Sequence, residues 1–322
     1  MTVLVTGGCG FIGAYTVKDL VNAGDHVVVV DPGDPALLRT VLGDGPTVRV
    51  APVDINDLDA LVRLCDETGV DSVVHLAGML GDACRRSPRD GALVNVGGFA
   101  TVFEMIRRLE IRRVVWGSSI SVFGYRPTSD VKTESSPLSP DGFYGGYKAA
   151  NETQARLYES VFGIPSTAIR IAFSYGYGRT RGTGSWVQEM MSRPAVGDDA
   201  VCSGGDVLVP WQHVEDTASI LVAALRAEPD GFRVFNTRGE PRWKHDAAAF
   251  IEATVPGVSV SIVGDESGYA TGIDDTPLRT ALNWAPRHSM EDGILRTLNA
   301  YRAAAGLAPY EMPSDWAPTS RA

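Results

Sequence analysis

The chain has 322 residues, 44% of them hydrophobic and 21% charged, with 29 basic residues against 39 acidic ones. At about 150 residues per domain that length suggests two domains, with enough interior to need no disulfide or metal staple. A net charge of −10 argues against a protein that tracks a nucleic-acid backbone, and no apolar run approaches the roughly 18 residues of a membrane span.

The expected partner is therefore a small molecule, with neither nucleic acid nor membrane involved. Cys9, Cys65, Cys84 and Cys202 show no CxxC-like spacing and suit a reducing compartment. Met1 leads at once into the apolar residues 3–5, which leaves no room for a signal peptide, so a cytoplasmic protein is expected.

In chain order, residues 3–6 read as a strand and 12–23 carry helical spacing. Residues 27–31, 71–76 and 113–116 are further short apolar runs. Runs apolar on both faces and separated by amphipathic stretches mark a parallel sheet covered by helices on both sides. The expected fold is α/β: a Rossmann-type doubly wound parallel sheet with a smaller C-terminal α/β substrate domain. The boundary is expected near residue 170, giving 1–170 and 171–322, with about 205–228 returning to the first domain. Within that stretch Asp216 reads as the N-cap of a helix over 217–226. The tail from Gly306 is Pro-rich and expected to be loose.

Residues 6–13 read TGGCGFIG, with Gly7, Gly10 and Gly13 between a strand and a helix and with Phe11 and Ile12 opening that helix. The first glycine permits a tight turn, the second a close approach of backbone to pyrophosphate, and the third close helix–strand packing. The helix N-terminus then offers free N–H groups to the phosphates. Asp31 ends the second apolar run, where a carboxylate accepts hydrogen bonds from an adenosine ribose diol and repels a 2′-phosphate. Pro32, Gly33 and Asp34 follow, with no arginine among them, so NAD is expected rather than NADP.

Tyr144 and Lys148 are four apart, on one face of a helix. A phenol with an ordinary pKa near 10 is a poor base at neutral pH, and a neighbouring ammonium stabilises its phenolate. About 25 residues earlier stands SSISVFG, containing Ser119.

With its GxxGxxG spacing, the chain resembles the extended short-chain dehydrogenase/reductase (NAD-dependent epimerase/dehydratase) family. That branch includes UDP-galactose 4-epimerase and the short-chain type of L-threonine dehydrogenase. The resemblance runs from residue 2 to about 300 and is densest over the first 180. It implies that Asp54 and Ile55 of APVDI contact adenine, and that Leu76, Ala77 and Gly78 of HLAG and Asn95 at a helix start border the cofactor. It further implies that Ser119 orients the substrate oxygen, that Tyr144 is the base and that Lys148 also holds the nicotinamide ribose.

Dehydratases of this family carry an acidic pair after the catalytic Ser/Thr, whereas Ile120 and Ser121 follow Ser119 here. Nucleotide-sugar epimerases carry an Asn where this chain has Phe173, and an arginine before the V-x-D helix where residues 206–213 have none. Arg85 (with Arg86), Arg179 and Arg181 are candidates for a substrate anion, and Phe173 and Trp211 for the pocket wall. The leading expectation is an NAD-dependent oxidation of a secondary alcohol on a small sugar-like or hydroxy-acid substrate. Sugar epimerisation through a transient ketone is the alternative, and a silent NAD-binding regulator the least favoured reading. Helices at about 93–109 and 149–162 resemble the family's dimer-forming pair, so a homodimer is expected.

Overall fold

The apolar runs become strands of one parallel sheet in the computed structural model, which describes all residues except 45–47, 125–129, 183, 266–267, 269, 315 and 317–322. β1 (Thr2–Thr6), β2 (His26–Val30), β3 (Arg49–Ala51), β4 (Ser72–His75), β5 (Arg113–Ser119) and β6 (Ser166–Ile171) lie in the order β6-β5-β4-β1-β2-β3. Both faces are buried. Leu4, Val28, Val73 and Val114 pack with helices Leu58–Thr68 and Gly98–Arg108. Val3, Val5, Val29, Val74 and Val115 pack on the other side with helices Phe11–Asn22 and Val214–Arg226. This is why the strands lack polar–apolar alternation.

The chain leaves the sheet through β7 (Ser174–Tyr175), β8 (Ala200–Cys202) and β9 (Leu208–His213), then comes back. Helix Val214–Arg226 packs on helix Phe11–Asn22 and on β5, and β10 (Phe232–Asn236) pairs with β6 as the seventh parallel strand. β11 (Glu240–Trp243) joins β9 and β7 in a three-stranded sheet, and β12 (Val260–Ile262) pairs with β8. These small sheets and helices Trp186–Ala195, Lys244–Thr254 and Met290–Ala304 enclose a second core rich in aromatic rings. The fold is a Rossmann-like doubly wound sheet with a smaller α/β unit. Among the described residues, no helix is long and apolar enough to cross a membrane. The end of the Pro-rich tail lies outside the described residues.

Two local expectations are corrected. Asp216 is not the cap of its helix, which begins at Val214 with His213 preceding it. Its carboxylate instead accepts the backbone N–H groups of Arg287 (3.1 Å) and His288 (3.2 Å), fixing an incoming segment of the second unit. The stretch expected as one helix over 93–109 contains a π-helical turn, Leu93–Gly97, before helix Gly98–Arg108. Such a widened turn re-aims side chains and is common beside functional sites.

Candidate active site

β1 lies between β2 and β4, so the chain reverses its direction across the sheet at their C-terminal ends, where open α/β sheets bind ligands. Gly7 sits there at φ +73°, a left-handed conformation that a side chain disfavours. A Cβ on Gly13 would stand 2.1 Å from the Gly7 carbonyl oxygen, so the helix can approach the turn this closely only with glycine there. A Gly13→Ala variant is therefore expected to lose NAD binding and at least about 1–3 kcal/mol of stability by overpacking. Urea unfolding and NAD titration check this, and wild-type behaviour in both would refute the described cradle.

Asp31 stands beside this loop. Its Oδ2 accepts the Cys9 N–H at 3.0 Å and its Oδ1 the Gly33 N–H at 2.8 Å, and each oxygen keeps a further lone pair. Asp54 folds its own turn by accepting the Asn56 N–H at 2.9 Å, while Ile55 is buried against Gly98. At the end of β4, Thr6 Oγ1 accepts the N–H groups of Leu76 (3.2 Å) and Ala77 (3.3 Å) and lies 2.7 Å from His75 Nδ1. Burial, reinforced by the Lys148 charge, pushes the His75 pKa down to about 3, so this imidazole is neutral and locks two strand ends together. Beyond it, Asn95 accepts the Met79 N–H at 3.1 Å and donates to Gly91 O at 3.0 Å, holding the loop that contains Gly78.

β5 carries Ser119, and helix Phe143–Phe162, which packs on β5, carries Tyr144 and Lys148. Lys148 is buried, and its Nζ donates to Gly117 O at 2.6 Å and lies 5.7 Å from the centre of the Tyr144 ring. Ser119 Oγ lies 2.6 Å from Ser121 Oγ. Tyr147, the other phenol of the motif, points away and donates to Pro88 O at 2.7 Å.

Burial lowers the Lys148 pKa from 10.5 to about 8, while Cys84 and Glu152 oppose the shift. A folded pKa below the unfolded value means that protonating Lys148 works against folding. This penalty is fully present below about pH 8 and is relieved as pH rises through 10.5. Stability is thus expected to gain from Lys148 over that window while activity, which uses the ammonium, declines. Melting temperature against pH, compared with Lys148→Met, checks the sign; a window unchanged in the variant contradicts it.

Two features of this site were not anticipated. Gly145 lets the helix approach the turn after β5, because a Cβ there would stand 2.3 Å from Ser121 O. Behind Lys148, Glu152 receives the Ser118 hydroxyl at 2.7 Å and a bidentate Arg170 guanidinium at 2.9 and 2.7 Å, all buried. Glu152 lies one helical turn after Lys148, and that spacing beside a lone arginine in the apolar strand β6 was the available signal.

Of the substrate candidates, Arg179, Phe173 and Trp211 meet, while Arg85 and Arg181 are exposed. Phe173 and Trp211, expected in the pocket wall, both pack in the second core. Phe173 stacks on Trp186 with centroids 5.5 Å apart and meets Trp211 edge-on at 5.8 Å, and both are buried with Tyr175, Met190 and Val209. Arg85 is exposed and paired with Asp82 at 2.6 Å, and Arg181 is exposed. Arg179 covers the Phe173 ring at 4.7 Å, donates to Ser174 O and reaches 5.9 Å from the ring of Phe11 at the glycine-loop helix.

Comparison with known proteins places the chain in a family. A UDP-glucose 4-epimerase of Lacticaseibacillus casei is 30% identical over 171 residues, covering 53% of this chain and 50% of that protein. A uronate dehydrogenase of Pseudomonas syringae is 30% identical over 172 residues, covering 53% and 59%. The chain thus spans about half the length of such curated relatives. The crystal structure of Thermus thermophilus UDP-glucose 4-epimerase with NAD superposes with a TM-score of 0.82 at 23% identity, covering 94% of this chain and all of that one. A family model matches residues 3–237, from β1 through the glycine cradle and the Tyr–Lys helix to β10. The chain belongs to the NAD-dependent epimerase/dehydratase family, an extended branch of the short-chain dehydrogenases/reductases.

Proposed function

We propose that the chain is an NAD-dependent sugar epimerase that works through a transient ketone. The observation that carries this reading is the buried Lys148 ammonium beside Tyr144, bound to the carbonyl of Gly117 two residues before Ser119 on β5. The glycine cradle of Gly7, Gly10 and Gly13, with Phe11 and Ile12 behind it, would hold the cofactor pyrophosphate, and Asp31 the adenosine ribose. Asp54 and Ile55 would flank adenine, and Leu76, Ala77, Gly78 and Asn95 would border the remainder. When bound, NAD supplies an acceptor and then a donor of hydride. The Lys148 charge favours the Tyr144 phenolate, which takes the hydroxyl proton as the C–O bond becomes a carbonyl and returns it when the carbinol re-forms. Ser119 donates a hydrogen bond to the developing carbonyl oxygen, and inversion requires the ketone to turn so that the hydride returns to its opposite face.

A second reading, oxidation of a sugar acid without return of the hydride, is favoured by Phe173. An aromatic ring in the core replaces the amide expected for a nucleotide diphosphate, and no arginine occurs in 206–213. The uronate dehydrogenase relative points the same way. The two readings separate on the cofactor retained through purification. Near-stoichiometric NAD(H) with interconversion of a UDP-sugar pair supports the epimerase. Protein free of cofactor that reduces added NAD⁺ with a free uronate overturns it in favour of the dehydrogenase.

The same reading includes a homodimer through helix Phe143–Phe162, whose Leu157, Val161 and Phe162 are exposed in the single chain. A monomeric mass at micromolar concentration would remove it. Four buried free thiols support a cytoplasmic setting.

A further inference from the structure

Away from the Ser–Tyr–Lys site, two histidines and a carboxylate meet where helix Val214–Arg226 begins and the segment before helix Met290–Ala304 arrives. His213 is 5% exposed, and its Nδ1 has no hydrogen-bond partner among the described residues. It lies 3.9 Å from Glu215 Oε2, the same oxygen that stands 3.2 Å from His288 Nε2. All three ligand atoms fall within 4.8 Å of one another. We propose that His213, Glu215 and His288 form a binding site for one divalent cation of the zinc type, with a fourth position left for water or a ligand.

The distances suit that ion. Bonds of about 2.0–2.2 Å in tetrahedral array put neighbouring donor atoms about 3.4 Å apart. The Glu215–His288 pair is already near that spacing, and the other two edges close by small side-chain movements. Glu215 and the two imidazoles are also the donor set of a site that keeps one position open.

The parts around the three residues hold them in place. Asp216 fixes the His288 backbone N–H at 3.2 Å. His288 Nδ1 pairs with Asp292 Oδ2 at 2.5 Å, the carboxylate–histidine arrangement that turns the other ring nitrogen outward as a lone-pair donor. A positively charged His288 bridging Asp292 and Glu215 would satisfy those two carboxylates but leave the buried His213 Nδ1 with nothing to meet. A cation between the three satisfies all of them. Arg296 is the competitor: it contacts Glu215 at 3.7 Å and Asp292 at 2.9 Å, and it must keep to Asp292 when the ion is bound.

The test uses the full-length protein, stripped with chelator and titrated with Co²⁺ and with Zn²⁺. One equivalent is expected to bind, with the visible absorption of tetrahedral Co²⁺. His288→Ala and Glu215→Gln are expected to weaken Zn²⁺ by more than about 100-fold, and Asp292→Asn by about 10–100-fold. Arg296→Gln is expected to tighten it by freeing Glu215. Circular dichroism and NAD retention serve as checks on folding, and Glu215→Gln, at a partly exposed side chain, stands in should His288→Ala fail to fold. A wild-type protein without saturable one-to-one binding overturns the proposal, as does equal binding by wild type and the two ligand variants. Loss of affinity in Arg296→Gln also overturns it, since removing a cation that competes for Glu215 can only favour an ion held there.

Discussion

Tyr144→Phe is expected to lower turnover by a factor between about 10² and 10⁴ while leaving NAD retention and stability near wild type. Only the phenolic oxygen is removed. The ring keeps its place 5.7 Å from the Lys148 ammonium, and the glycine cradle that would bind the cofactor is on other elements. Without a base the substrate hydroxyl keeps its proton, and hydride departure would then have to form a high-energy protonated carbonyl. Single-turnover reduction of bound NAD⁺ isolates this step from product release. If the variant reduces its cofactor at the wild-type rate, Tyr144 is not the base and the site must be redrawn around another group. Tyr147 is a poor substitute, since its hydroxyl is engaged with Pro88 O and burial raises its pKa.

The parts legible in the sequence are those whose physics is local. TGGCGFIG names its own turn, because Gly7 and Gly13 are close in sequence and meet through one strand–helix junction. The apolar strands are readable for the same reason: burial on both faces leaves a pattern within five residues. Tyr144 and Lys148 share one helix face by spacing alone. What could not be read depends on partners far along the chain. Asp216 looks like a cap until Arg287 and His288, 71 and 72 residues later, arrive at its carboxylate. Phe173 lies just before β7 and Trp211 in β9, where an aromatic faces a pocket or a core with the same local pattern. The neighbouring Trp186, on a helix after a loop, decides for the core. Gly145 is needed because of Ser121, which lies on a different element.

The Glu152–Arg170 pair also joins separate elements, and its replacement is expected to separate stability from catalysis. Both side chains are at most 3% exposed, and the pair joins the Tyr–Lys helix to β6 while the Ser118 hydroxyl ties Glu152 to β5. Ser118 lies directly between Gly117, whose carbonyl takes the Lys148 ammonium, and Ser119. Three successive residues of one strand therefore set the register between base and substrate-orienting hydroxyl. Arg170→Met leaves a buried carboxylate uncompensated, which typically costs about 3–5 kcal/mol. Adding Glu152→Leu removes that charge, and buried pairs replaced by apolar side chains are often neutral in stability. Urea unfolding is expected to show the double variant recovering most of what the single variant loses. Turnover is not expected to recover with it, since nothing then pins the helix to Ser118 and no nearby carboxylate supports the charge on Lys148. The high-pH limb of activity is expected to move downward in Glu152→Gln, because Glu152 is one of the groups that hold the Lys148 proton against burial. A double variant that regains both stability and turnover would show the pair to be structural only, and an Arg170→Met protein as stable as wild type would show it to be neither.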